Sequence, residues 1–104
     1  MSTKKKSDAV EFLEKISGGP LTVSKLLVAH RESNDLTQAE VAKKLGVSIP
    51  HLSQLERGHK FLSPERAYAF AKKLGLMPEV FVMISIQDQL TRAKLPLKVK
   101  IEAA

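Results

Sequence analysis

The sequence has no cysteine, which excludes disulfides and thiolate metal sites. Its three histidines, His30, His51 and His59, are not spaced as metal ligands, so neither a metal nor a cofactor is expected. No apolar run approaches the roughly 20 residues that cross a bilayer. The longest, Val80 to Ile86, is far too short, and no membrane partner is expected. The basic start, Met1-Ser2-Thr3-Lys4-Lys5-Lys6, is not followed by the apolar stretch of a secretory signal. A cytoplasmic location is the reading that follows. Catalytic apparatus is missing as well. Gly18-Gly19-Pro20 lacks the pattern of a phosphate-cradling loop. No Ser, His and acid are set to activate a nucleophile, and no carboxylate pair stands apart from ordinary helix surface. A chain of 104 residues supports one modest core without a second layer to shape a pocket. The sequence reads as a non-enzyme.

What the chain does have is positive charge. Its formal net charge is +6 at pH 7, with an isoelectric point of about 9.7. Such a balance suits a polyanionic partner.

The most informative stretch runs from Leu36 to Gly58 and reads as two short helices joined by a glycine turn. Thr37 is a good N-cap, and Glu40 three residues on completes a capping box. Val41, Ala42 and Leu45 form one apolar face. Small Ala42 allows a second helix to cross closely. Gly46 follows the last periodic residue, where a left-handed backbone is expected. Ser48 caps the second helix, and Pro50 falls in its first turn, where its missing N–H costs little. Leu52 and Leu55 face inward and Gly58 stops the helix. At about 100° per residue, the opposite face carries Pro50, Gln54 and Arg57, with His51 and Ser53 on its flanks and Ile49 at the tip. A short helix with an outward polar face, propped by another behind a glycine turn, fits a major groove.

The pattern L-T-Q-x-x-x-A-x-x-x-G-V-S, then an apolar residue, then L-E-R-G, resembles the phage-repressor-like (Xre or Cro) helix-turn-helix proteins. With flanking helices the resemblance covers about residues 21–76. It implies a lambda-repressor-like five-helix domain that binds double-stranded DNA. It implies that Gln38 holds a phosphate with nearby backbone N–H groups. It also implies a structural ion pair between Arg31 and Glu56. Gln54 is the best base reader, since an amide pairs bidentately with adenine. Ile49 and Pro50 offer apolar contact, and His51 and Ser53 reach a base or a phosphate. Arg57, His59, Lys60 and Arg66 are expected on the phosphate backbone. Members of this family often carry Arg or Lys where Ile49 and Pro50 stand here, a departure that shifts weight toward DNA shape and flanking contacts.

Around the motif, Ala9, Phe12, Leu13 and Ile16 predict an extra N-terminal helix over 8–17 behind a basic arm. Thr22 predicts the start of a helix to about Ser33, lined by Val23, Leu26, Leu27 and His30. Phe61 or Leu62 is expected to plug the core. Ser63-Pro64-Glu65 is a helix start, with Ala67, Phe70, Ala71 and Leu74 buried and Gly75 as the stop. Pro78-Glu79 opens a last helix to about Ala93. Val80, Phe81 and Ile84 suit the core, while Met83, Ile86 and Leu90 form a second stripe that calls for a second partner. The tail from Leu95 alternates, with Leu97, Val99 and Ile101 on one side and Lys98, Lys100 and Glu102 on the other. That is a strand signal. A lone strand needs a partner from another chain, which suggests pairing with the same strand of a second subunit or strand addition to another protein.

The expected architecture is therefore all-α: an arm and helix over 1–20, a DNA-binding domain over 21–76, and a dimerisation element over 77–104 ending in a short β-strand. Met83, Ile86, Leu90, Leu97, Val99 and Ile101 are its expected homodimer contacts. The expected function is a sequence-specific transcriptional regulator, a homodimeric repressor on a two-fold operator. The alternative is an antitoxin that binds a protein toxin and represses its own operon.

Overall fold

The computed structural model describes residues 19–102 and 104. Five helices follow in order: α1 (Val23–Ser33), α2 (Gln38–Leu45), α3 (Ile49–Glu56), α4 (Pro64–Leu74) and α5 (Pro78–Arg92). The described part is all-helical. The N-terminal helix expected over 8–17 lies outside the described residues.

Local chemistry sets the helix ends. Thr22, Thr37, Ser48 and Ser63 each accept a backbone N–H at the start of α1 to α4. Thr37 and Glu40 close a reciprocal capping box. Gly46, at φ +74°, gives α2 the left-handed stop that a residue with a Cβ resists. Yet α2 and α3 have only eight residues each, too few to persist alone in water. They depend on what they bury.

That burial is shared by all five helices. Val23 and Leu27 from α1, Val41, Ala42 and Leu45 from α2, and Leu52 and Leu55 from α3 join Ala67, Phe70, Ala71 and Leu74 from α4 and Phe81 from α5. α2 packs on α3 and α4, α1 packs on α3 and α5, and the most extensive contact is α4 on α5. Leu52 and Leu55 are essentially fully buried. Truncating either to Ala costs roughly 2–5 kcal/mol. Of the two candidate plugs after α3, Leu62 is buried and Phe61 is exposed.

No residue from Pro78 to Leu90 of α5 is exposed. Phe81, Met83, Ile84 and Ser85 are buried, whereas Val80, Ile86 and Leu90 are half-buried. Lys94, at φ +58°, turns the chain after α5. Its N–H donates to the Thr91 carbonyl, and that of Leu95 to the Leu90 carbonyl.

The strand expected after Leu95 does not form. Residues 95–102 have no regular secondary structure. The physical reason is the absence of a neighbouring strand in the described chain. A side chain takes one rung instead: Gln87 Nε2 donates to the Leu97 carbonyl at 2.9 Å, and the Val99 N–H donates to Gln87 Oε1 at 2.8 Å. The primary amide stands in for a peptide unit.

Candidate nucleic-acid interface

The outer surface of α3 follows from its inner one. With Leu52 and Leu55 buried, helical geometry turns Ile49, Pro50, Gln54 and Arg57 outward, and all four are exposed. His51 and Ser53 are half-buried on the flanks. Among the described residues the Gln54 amide has no hydrogen-bond partner, so its donor and acceptor are both available.

The orientation of α3 is fixed by a carboxylate. Glu56, whose side chain is 5% exposed, accepts Arg31 Nε on Oε2 at 2.8 Å and Arg31 Nη2 on Oε1 at 3.0 Å. Gln38 Nε2 donates to the same Oε1 at 3.0 Å. Arg31 Nη1 also reaches the Leu36 carbonyl at 3.4 Å. α1, α2 and α3 thus meet at one carboxylate. Burial works against its ionisation and is the largest single influence. The bonds from Arg31 and Gln38 with the Arg31 charge outweigh it, and the carboxyl sits below its ordinary range. The same bond to Glu56 raises the Arg31 guanidinium further above its usual value. Gln38, expected on a phosphate, is thus half-buried with its amide nitrogen on Glu56. A second tie comes from Ser24 in α1, whose hydroxyl donates to the backbone carbonyl of Glu56 at the end of α3.

The loop after α3 carries exposed Arg57, His59 and Lys60. Its turn depends on Gly58, at φ +75° and buried. Arg66 lies exposed near the start of α4, its guanidinium 5.6 Å from the Phe70 ring centroid. These elements converge at His51. Burial first, then the charges of Lys60 and Arg66, hold the His51 imidazole below its ordinary range. Lys60 of the following loop and Arg66 of α4 thus bring two positive charges to one corner beside the His51 imidazole of α3. Such a corner suits phosphate oxygens.

Several residues that shape this surface were missed by sequence reasoning. Ser24 ties down the end of α3 across 32 residues of sequence. Ser85 Oγ and Gln89 Nε2 both donate to the Leu62 carbonyl, at 3.0 and 3.3 Å. Lys73 Nζ donates to the Leu45 carbonyl at the end of α2, at 3.3 Å. The Arg92 guanidinium lies over the Phe61 ring, 5.0 Å from its centroid. Ser85 alone left a sequence signal, as a polar residue inside the apolar run of α5.

Among the described residues no group of His, Cys, Asp and Glu is placed to hold a metal ion, and no helix is long and apolar enough to cross a membrane.

No curated protein and no solved structure shows a match to the chain. A helix-turn-helix family model matches residues 27–81, just over half of the 104 residues. The match runs from the middle of α1 into α5 and includes the whole of α2, α3 and α4. The chain belongs to the phage-repressor-like helix-turn-helix family and is a DNA-binding transcription regulator.

Proposed function

We propose that the protein is a sequence-specific repressor that acts as a homodimer on a two-fold symmetric operator. The observation that carries this reading is the two-sidedness of α3: Leu52 and Leu55 are locked in the core while Ile49, Pro50 and Gln54 stand exposed. Two such helices enter successive major grooves about 34 Å apart. Gln54 reads adenine, Ile49 and Pro50 touch apolar base edges, and Ser53 and His51 reach a base or a phosphate. Arg57, His59, Lys60 and Arg66 grip the backbone on either side, with Gln38 at the start of α2. The dimer is formed by half-buried Ile86 and Leu90 of α5 together with Leu97, Val99 and Ile101 of the tail; Met83 is buried on the same helix. The protein works in the cytoplasm.

The experiment is selection of a duplex from a random pool by the full chain, followed by titration of Gln54→Ala. The variant is expected to lose about 1–3 kcal/mol on the selected duplex and much less on random DNA. Equal losses on both sink the reader assignment.

An antitoxin that also represses its own operon shares the same DNA surface. The exposed apolar side chains of Leu95, Leu97 and Ile101 favour it, because an extended apolar tail suits strand addition to another protein. Light scattering separates the two: a dimer held by the tail supports the repressor, and a monomer leaves the tail for a toxin.

A further inference from the structure

We propose that Arg92 is a DNA-phosphate contact, supplied from the end of α5, outside the matched helix-turn-helix segment. The inference rests on the DNA-binding reading above and extends its footprint.

Arg92 is the last residue of α5, yet its guanidinium lies against the loop that follows α3. Its central carbon stands over the Phe61 ring, 5.0 Å from the centroid. It also fills the space that a side chain at position 58 would occupy: a Cβ built on Gly58 would stand 2.5 Å from Arg92 Nη2. The missing side chain at Gly58 is therefore a notch as well as a turn. The same loop carries exposed Arg57, His59 and Lys60. The loop itself is anchored from α5 through Ser85 and Gln89 on the Leu62 carbonyl. Residues 85, 89 and 92 share one helical face, so the face that steadies the loop also delivers the cation.

A guanidinium held over a ring by cation–π attraction spends no N–H donor on a hydrogen bond there, which keeps those donors for phosphate oxygens. Among the described residues no hydrogen bond to a carboxylate occupies them. Asp88 is its ion-pair partner, at 4.0 Å and one helical turn away. The Arg92 side chain is 47% exposed, so its charge faces solvent at the edge of the DNA-facing loop. Arg92 also lies near the C-terminal end of α3, where a cation is favoured by the helix dipole. A buttress of α3 is the competing role, and it predicts a different result.

The test measures DNA affinity of the full chain against salt concentration, on a random-sequence duplex, with thermal stability measured in parallel. Arg92→Gln is expected to reduce the slope of log K against log salt by about one, the contribution of a single phosphate contact. Arg92→Lys keeps the charge and is expected to keep the slope. Asp88→Asn removes the ion-pair partner of Arg92 and is expected to strengthen binding at low salt. An unchanged slope in Arg92→Gln with a lowered melting temperature overturns the proposal and makes Arg92 a buttress. Loss of affinity in Asp88→Asn also counts against it. Lys60→Ala, run alongside, separates the two levels. If Lys60 moves the slope and Arg92 does not, only this inference falls. If the full chain shows no affinity for the duplex, the DNA-binding reading falls with it.

Discussion

Arg31 and Glu56 meet in a two-pronged ion pair, Nε to Oε2 at 2.8 Å and Nη2 to Oε1 at 3.0 Å. The pair joins α1 to the end of α3, and Gln38 adds a third bond from α2. Breaking one partner of a buried pair costs about 3–5 kcal/mol. Arg31 remains 20% exposed, which places Glu56→Ala near the lower end, at about 3 kcal/mol. Arg31→Ala is expected to act less than additively with it, because either change removes the same contact. Urea unfolding of the two single variants and the double variant measures the coupling.

The same carboxylate sets an acid limit. Its folded value lies below the ordinary 4.5. A carboxyl depressed in the folded state adds stability above its unfolded value and loses that contribution as pH falls through the folded one. Stability is therefore expected to decline as pH drops below about 4.5, and Glu56→Gln to flatten that limb. Thermal melts across an acidic pH series check this.

His51 gives a prediction of the opposite sign. Its imidazole is held low by burial and then by Lys60 and Arg66. Lys60→Gln and Arg66→Gln are each expected to raise its pKa, without restoring the ordinary value, because burial remains. Imidazole proton shifts followed by NMR report this directly. DNA phosphates offset the same two charges, so the bound state takes up a proton more readily. Affinity is then expected to rise as pH falls below the ordinary imidazole range, and the rise to vanish in His51→Gln.

Lys60 is exposed on the loop after α3 and tests the backbone grip. Lys60→Ala is expected to weaken binding to all sequences alike and lower the salt slope by about one. A loss confined to one sequence would instead make it a base reader.

Much of this domain was legible in the sequence because its signals are local. The Thr37–Glu40 box, the stop at Gly46, the caps at Ser48 and Ser63, and the inward Leu52 and Leu55 each depend on residues within a turn or two. What escaped depends on distance. Ser24 meets the Glu56 carbonyl, and Arg92 meets Phe61, only after the helices have packed. Helical periodicity also leaves the rotation of a helix open when apolar residues lie on two sides. In α5 the sequence put Val80 in the core and Met83 on the second stripe, whereas Met83 is buried and Val80 half-buried. The alternation after Leu95 carried no information about a pairing partner, and of its apolar side only Val99 is half-buried while Leu97 and Ile101 are exposed.

The Gln87 amide has one more consequence. A strand's register is ordinarily chosen by many rungs, and a slip of one residue exchanges its two faces. Here a single side chain makes that choice. By taking the Leu97 carbonyl and the Val99 N–H, it leaves Val99 half-buried and Lys98 and Lys100 exposed. A slip by one would bring the lysines inward and turn the valine out. One amide therefore fixes which residue of the tail turns toward α5, with Leu97 and Ile101 left exposed beside the lysines.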